Sequence, residues 1–292
     1  MASSTDATGT AARSHDEGGL DAAVTIEEPQ GPARLIALEE LQARAWEMEP
    51  RGIVPGALMG IIASGGGILL AAYDHDHGSR PVGFVLGLLA RRDGRLYHAS
   101  HMLATDPAYQ GRGIGAALKR RQREAALAQG LDLMTWTFDP LIARNAHLNL
   151  HKLGAISSAY YEDYYGPMDD RFNGGLPTDR LLVEWRLNGP VPTVPVSVPT
   201  PPVPVSVPAP PTPILIAEGG KPVLRLERAP VGAPLSVWVP GDSTAIKERD
   251  PAAALDWRLA LRRALSWAFA HGYVARDFSA GAYILLPDET PG

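Results

Sequence analysis

The sequence contains no cysteine among its 292 residues. Disulfides, thiolate metal sites and a cysteine nucleophile are therefore excluded, which fits the reducing cytoplasm where we expect the protein. No apolar run of 18 residues is present and the first residues lack a secretion-signal pattern, so we expect no membrane contact. The net charge of −5 argues against a nucleic-acid partner, because positive charge is not in excess.

What the sequence does contain is the composition of a globular protein, with 45% hydrophobic and 20% charged residues. Its length allows one large or two small domains. We expect a disordered tail over residues 1–22, because small and polar residues there offer little to bury. Residues 23–188 form the predicted first domain, 189–213 a proline-rich linker, and 214–292 a C-terminal accessory α+β domain.

The apolar periodicity of the first domain alternates between strand-like and helix-like segments. It predicts strands at 24–26, 68–73, 82–90, 96–104, 133–138, 156–164 and 181–187, and helices at 35–48, 56–63, 114–130 and 142–153. In the C-terminal domain it predicts strands at 223–227, 235–239, 273–278 and 282–286 around a helix at 250–271. The predicted orders are β-α-α-β-β-β-α-β-α-β-β and then ββαββ.

A glycine-rich turn, Gln110-Gly111-Arg112-Gly113-Ile114-Gly115, follows the fourth predicted strand and opens a helix. Such a turn directs unpaired backbone N–H groups and the positive end of the helix dipole at one point, which favours a pyrophosphate.

Two alternatives remain for this turn. One is a plain glycine-rich turn. The other is a dinucleotide site, because Gly111-x-Gly113-x-x-Ala116 also fits Gly-x-Gly-x-x-Ala, with Asp139 about 20 residues further on. Residues 105–110 separate the strand from the glycines, whereas a dinucleotide turn follows its strand almost at once. The spacing therefore argues against a dinucleotide site.

Gln110-x-x-Gly113-x-Gly115 resembles the Gln/Arg-x-x-Gly-x-Gly/Ala pattern of the GNAT superfamily of N-acetyltransferases, and residues 24–187 share the order of elements of that fold. The resemblance implies an α/β (α+β) GNAT fold, with a mixed sheet flanked by helices. It also implies an N-acyltransferase that uses acetyl-CoA or another acyl-CoA as cosubstrate and needs no metal.

The same resemblance implies which residues hold the cosubstrate. In the family the fourth strand splays away from the fifth, and its backbone pairs with the pantetheine arm and polarises the thioester. The implied cosubstrate-binding residues are Leu103, Ala104 and Thr105 on the strand, Gln110, Gly111, Arg112, Gly113, Ile114 and Gly115 in the turn, and Asn145 on the following helix.

His101 is the predicted catalytic base. It lies four residues before Thr105, at a position where the serotonin N-acetyltransferase branch of the family is similar in having a histidine. A histidine with an ordinary pKa near 6.5 can accept the proton of an amine at neutral pH. The alternative is a hydrogen-bonded histidine without a chemical role.

The sequence departs from the family pattern at the acid that protonates the departing thiolate. The family's Tyr-x-Lys-x-Gly-Phe ending reads Leu150-His151-Lys152-Leu153-Gly154-Ala155 here, so leucine replaces the tyrosine. The candidate substitutes are His151, Asn149, Asn145, Tyr160, Tyr161, Tyr164 and Tyr165. Unassisted departure of the thiolate is a further alternative.

Two residues are candidate acceptor ligands, Asp139 at the predicted mouth of the opening and Arg180 in the loop that leads into the last predicted strand of the first domain. Asp139 could bind a substrate ammonium, although a core-and-turn role competes. Arg180 could bind a substrate carboxylate, although a surface ion pair with Asp179 or Asp170 competes. We interpret Asp74-His75-Asp76-His77 as a solvated hairpin turn and not a metal site.

The chain as a whole resembles a largely uncharacterised bacterial branch of GNAT proteins, with a C-terminal extension. Some relatives are thought to acylate amino acids with acetyl or succinyl groups, which implies a small-molecule amine as acceptor. A non-catalytic acyl-CoA-binding or regulatory module is the alternative, with a dehydrogenase third. We expect the C-terminal domain to cover the acceptor cleft or a homodimer contact.

Overall fold

A computed structural model of the chain describes Leu20 and residues 23–47, 50–168, 174–188, 209–230 and 232–288. Most of the predicted tail over residues 1–22 and of the predicted linker over residues 189–213 lies outside the described residues. The end of the first predicted helix, at Met48, lies outside them as well.

In the described part of the chain, strands and helices alternate in the first domain, and a second group of strands and helices follows in the C-terminal domain. Its strands are β1 (Val24–Glu27), β2 (Ile68–Asp74), β3 (Arg80–Arg92), β4 (Arg95–Thr105), β5 (Leu133–Phe138), β6 (Ile156–Tyr161), β7 (Arg180–Arg186), β8 (Thr212–Glu218), β9 (Lys221–Leu224), β10 (Leu235–Trp238), β11 (Tyr273–Ser279) and β12 (Ala282–Pro287). Its helices are α1 (Pro32–Trp46), α2 (Gly56–Ser64), α3 (Ile114–Ala128), α4 (Ala143–Ala146), α5 (Ser243–Arg249) and α6 (Pro251–Ala270). The order from β1 to β7 is the predicted one.

All twelve strands belong to one mixed sheet, in the order β1-β2-β3-β4-β5-β7-β6-β11-β12-β10-β8-β9. Most neighbours are antiparallel, but β4 runs parallel to β5 and β8 parallel to β10. The two predicted domains meet where Ser157 of β6 pairs with Ala275 of β11. The C-terminal strands therefore extend the sheet of the first domain.

Helices cover both faces of the sheet. Helices α1 and α2 bury Leu38, Leu41 and Met59 against β2, β3 and β4. On the other face, α3, α4 and α6 bury Leu118, Ala146 and other apolar side chains in a larger core. Hydrophobic burial on two faces thus fixes the part of the sheet that contains β4 and β5 between helices.

The C-terminal domain differs from the predicted ββαββ order. Strand β8 begins at Thr212, inside the predicted linker, and α5 precedes α6. The proline pattern up to Pro213 obscured the apolar run Ile214-Leu215-Ile216, of which the first two residues are fully buried. Helix α6 begins as predicted, because Asp250 accepts a hydrogen bond from the N–H of Ala253 and Pro251 occupies the first turn.

The helix predicted over 142–153 is also different. Only α4 is α-helical, and His147–Lys152 continues it as a π-helical segment. The N–H of Leu153 donates to the carbonyl of Leu148 at 3.0 Å, which is the wider spacing of a π-helix. Such segments occur often at functional sites.

No helix in the described ranges is both long and apolar enough to cross a membrane.

Candidate functional site

Strands β4 and β5 are neighbours in the sheet, but they separate along their length. They pair only at His98 with Met134 and Ala99 with Thr135. Beyond that point β4 stays paired with β3 as far as Thr105, and β5 stays paired with β7 as far as Phe138. The result is a V-shaped opening, and one edge of β4 over residues 100–105 faces it without a partner strand.

A β-bulge lies on β4 where the opening begins. Leu86 of β3 pairs with Met102, and the next residue, Gly87, pairs with Ser100. His101 is therefore the extra residue of the bulge. Bulges re-aim side chains and are common beside active sites.

His101, the predicted base, lies at the level of the opening. Counting along the parallel register from His98 and Met134 places it level with Thr137 of β5. Its side chain is exposed, yet neighbouring atoms remove part of its hydration and so lower its pKa below the ordinary 6.5. A lower pKa keeps the imidazole unprotonated, and able to accept a proton, at neutral pH.

The glycine-rich turn has the backbone geometry that an anion requires. Gly111 and Gly113 have φ of 79° and 82°, in the region that favours glycine. Gly113 is the N-cap of α3, no side chain of the described residues caps that end, and its first turn has no acidic residue. The first N–H groups of α3 therefore remain available for a negatively charged group.

The strand end, the turn and α4 meet at Gly115. A methyl group placed on Gly115 would lie 3.8 Å from Leu103 Cδ2 and from Thr105 Oγ1, and 3.9 Å from Leu148 Cδ2. Arg144 of α4 reaches Gln110 at 3.5 Å. The structure thus brings together the predicted residues of the strand, the turn and the following helix, where Asn145 is half-buried beside Arg144.

Other predicted residues of this region take different positions. The side chain of Ala104 is buried on the face covered by α1, so only its backbone could reach the opening. The side chains of Gln110 and Arg112 are exposed, and Arg112 donates to the carbonyl of Ala108 at 3.1 Å. Ile114 is buried in the core and anchors the first turn of α3.

Asp139 is not open to an acceptor in this structure. It is 8% exposed, and both of its carboxylate oxygens accept hydrogen bonds from Arg258 of α6, at 2.8 and 2.6 Å. One oxygen also accepts from the N–H of Leu141. Burial alone would lower the pKa of Arg258, but this carboxylate raises it above its ordinary value. The prediction of an ammonium ligand is therefore corrected to a buried ion pair.

Arg180 is also buried, at 7% exposure, so it is not part of a surface ion pair. One of its N–H groups donates to the carbonyl of Asp179 at 2.8 Å, and its guanidinium lies 4.0 Å from Asp139. The guanidinium also lies 5.1 Å from the centre of the Tyr165 ring. The carboxylate of Asp179 pairs with Arg262, and Asp170 lies outside the described residues.

Several candidates for the thiolate acid are buried or already paired. Asn149 is buried, and so is Leu150 at the position of the family's tyrosine. Nδ1 of His151 lies 2.8 Å from a carboxylate oxygen of Asp277 on β11, so this imidazole already has a partner. Tyr160 donates to Asp179 at 2.6 Å, and burial raises its pKa well above the ordinary 10.

Tyr165 contacts β5, one of the two strands that border the opening. Its hydroxyl lies 3.2 Å from the hydroxyl of Thr137 on β5. Tyr161, Tyr164 and Tyr165 form an exposed cluster with ring centroids 5.3 and 4.7 Å apart. This cluster lies at one end of the opening, where sequence reasoning could not distinguish among the tyrosines.

Sequence reasoning also missed a buried polar cluster beneath the opening. Lys119 is 2% exposed and donates to Ser100 and Gln122 at 2.8 and 3.3 Å. Its ammonium lies 3.7 Å from the centre of the Trp136 ring, and burial lowers its pKa well below the ordinary value. Gln122 in turn contacts His98 at 3.0 Å. The signal was present, because Lys119 and Gln122 share the apolar stripe of α3 with Ala126.

In the described ranges, no group of three or more histidine or acidic residues is arranged to hold a metal ion.

Comparison with known proteins gives a consistent result. A sequence model of the acetyltransferase (GNAT) family matches residues 35–155. No curated protein matches the sequence.

Among solved structures, the chain is similar to the ribosomal-protein-S18-alanine N-acetyltransferase from Escherichia coli, at 15% identity and a TM-score of 0.45, over 59% of this chain and 98% of that one. It is also similar to an acetyltransferase of the GNAT family from Streptococcus pneumoniae, at 19% identity and a TM-score of 0.45, over 56% and 99% of the two chains. A third is Arabidopsis thaliana Naa50 in complex with a bisubstrate analogue, at 17% identity and a TM-score of 0.44, over 56% and 97%.

The family match spans the helices, the splayed strand and the glycine-rich turn described above, and confirms the predicted GNAT fold. It supports the assignment of the chain as an N-acetyltransferase. Residues 35–155 thus carry a domain of the acetyltransferase (GNAT) family.

Proposed function

We propose that the chain transfers an acetyl or succinyl group from CoA to the amine of a small molecule of the amino-acid class. The cosubstrate assignment rests on the start of α3, which no side chain of the described residues caps and which follows two glycines with positive φ. This helix start comes after β4, whose last residues no longer pair with β5. In this arrangement Gln110, Gly111, Arg112, Gly113, Ile114 and Gly115 hold the pyrophosphate, and the backbone of Leu103, Ala104 and Thr105 holds the pantetheine arm.

The bound cosubstrate supplies a thioester whose acyl carbon an amine can attack. His101 acts as the base, because it projects from the bulge at the root of the opening and desolvation keeps it unprotonated. It accepts the proton that the attacking amine must lose. We propose that Tyr165, whose hydroxyl lies 3.2 Å from that of Thr137, donates a proton to the departing sulfur in place of a tyrosine at position 150, which is a leucine here.

The proposed size of the acceptor rests on the loop after β6. Tyr165, which follows β6, contacts Thr137 on β5, one of the two strands that border the opening. We propose that this side chain covers part of the opening and so favours a small amine over a folded protein segment. Arg180, beside Tyr165, is the residue we propose for the acceptor carboxylate.

The test is a transfer assay with the full chain. Purified protein is mixed with acetyl-CoA or succinyl-CoA and with single amino acids, simple amines or short peptides, and free CoA thiol is measured. Thiol release that requires an amino acid supports the proposal. Release with peptides only would overturn the small acceptor, and CoA binding without release for any amine would favour a non-catalytic binding module, the alternative that Leu150 keeps open.

A further inference from the structure

The helical segment over residues 143–152 contacts the C-terminal domain through two histidines. Nδ1 of His151 lies 2.8 Å from a carboxylate oxygen of Asp277, and Nδ1 of His147 lies 3.4 Å from the carbonyl oxygen of Phe278. Because an ionised carboxylate and a carbonyl only accept hydrogen bonds, each Nδ1 is the donor. The two imidazole rings also stack on each other, with their centroids 4.6 Å apart. Strand β11, which carries both acceptors, therefore holds both histidines of the segment.

Both sides of this contact depart from regular secondary structure. His147–Lys152 is π-helical. On β11, Ala275 and Asp277 pair with consecutive residues of β12, so Arg276 is the extra residue of a β-bulge. A bulge re-aims the side chains beside it, and π-helical turns are frequent at functional sites. Two irregular elements that meet at one contact indicate that the contact does more than join two domains.

Another face of the same helical segment contacts the glycine-rich turn. Nη1 of Arg144 lies 3.5 Å from Oε1 of Gln110. Cδ2 of Leu148 lies 3.9 Å from the point where a side chain on Gly115 would begin, at the first turn of α3. The segment thus lies between β11 and the turn that we propose for the pyrophosphate. A movement of the segment away from β11 would change its contacts with that turn.

We infer that Asp277 is a positioning residue for the cosubstrate. By accepting the hydrogen bond of His151, it holds the helical segment over residues 143–152 in the orientation in which the segment meets the glycine-rich turn. This inference rests on the proposed function, because the turn must bind the pyrophosphate of an acyl-CoA. It gives the C-terminal domain a role in cosubstrate affinity, in addition to extending the sheet.

The test is calorimetric titration of acetyl-CoA into the full chain of the parent protein, Asp277→Ala and Asp277→Asn. Asp277→Ala removes the acceptor of the His151 N–H, so the affinity for acetyl-CoA should fall by roughly fivefold or more. Asp277→Asn keeps an oxygen that can accept this hydrogen bond, so this variant should bind acetyl-CoA like the parent protein.

Arg262→Ala is the matched control. Arg262 also joins the C-terminal domain to the first domain through an ion pair, with Nη2 2.7 Å from a carboxylate oxygen of Asp179. Its partners, Asp179 and Glu162, flank the connection between β6 and β7 and do not belong to the helical segment. In urea unfolding, Arg262→Ala and Asp277→Ala should both be less stable than the parent protein. Only Asp277→Ala should bind acetyl-CoA more weakly.

A second variant keeps the inference falsifiable if Asp277→Ala does not fold. His151→Ala removes the donor of the same hydrogen bond, so it should weaken acetyl-CoA binding by a similar factor, and the double variant should bind no more weakly than either single variant. The inference alone is overturned if the parent protein binds acetyl-CoA and His151→Ala binds it equally well, or if Arg262→Ala weakens binding as much. Absence of binding to the parent protein would overturn the cosubstrate assignment as well.

Discussion

The buried pair between Arg258 and Asp139 should be a main link between the C-terminal helix and the GNAT domain. The two side chains are 1% and 9% exposed, and two hydrogen bonds of 2.8 and 2.6 Å join them. Removing one member of a buried pair usually costs about 3–5 kcal/mol, because the other charge stays buried. After Arg258→Met, Asp139 would keep the N–H of Leu141 and the nearby Arg180, so we expect the lower end, about 3 kcal/mol.

The assay is urea unfolding at pH 7 of the parent protein, Arg258→Met, Asp139→Asn and the double variant. Arg263→Met is the matched control, since Arg263 lies on the same helix but is exposed, and its cost should be within about 0.5 kcal/mol. The double variant should cost clearly less than the sum of the single variants, because no unpaired charge remains. A cost for Arg258→Met below about 1 kcal/mol, as for a surface pair, or strictly additive costs, would refute the reasoning.

Three other predictions concern titratable groups of the site. His101→Gln should lower turnover by roughly 10²-fold while CoA affinity stays unchanged, and should remove an acidic limb that lies below pH 6.5 in the rate profile, because the pKa of His101 is lowered; unchanged rates would assign the proton transfer elsewhere. Burial, assisted by the charge of Lys119, lowers the pKa of His98 to about 4. Since the unfolded chain then takes up a proton that the native protein does not, stability should fall by roughly 3 kcal/mol as the pH drops from 6.5 to 4; a His98→Leu variant with an equally steep loss would contradict this. Lys119→Met should unfold at a higher urea concentration than the parent at pH 7, with the difference shrinking towards pH 10.5, because burial lowers the pKa of Lys119; a large destabilisation would show that the amine is needed by its neighbours.

Local features of this chain could be predicted from the sequence. The turn at Gly111 and Gly113 is visible because positive φ and the start of a helix depend on neighbouring residues only. The order of strands and helices up to β7 follows from apolar periodicity, and the structure confirms it.

Contacts between distant residues could not be predicted. Asp139 and Arg258 are 119 positions apart in the sequence. The residues next to Asp139 in the sequence do not indicate that an arginine of a later helix pairs with its carboxylate. The bulge at His101 depends on the pairing of β4 with β3, which only the assembled sheet defines. Strand β8 was missed for a different reason, because prolines up to Pro213 outweighed the short apolar run after them.

The central claim is that the glycine-rich turn before α3 binds the pyrophosphate of an acyl-CoA. Calorimetric titration of acetyl-CoA into the parent protein, Gly113→Asn and Gly113→Asp tests it most directly. Both side chains suit an N-cap and tolerate the φ of 82° at this position, so the two variants should be equally stable and differ only in charge. We predict stoichiometric binding to the parent protein and an affinity for Gly113→Asp at least tenfold weaker than for Gly113→Asn. Equal affinities of the two variants, or no binding to the parent protein, would contradict the account.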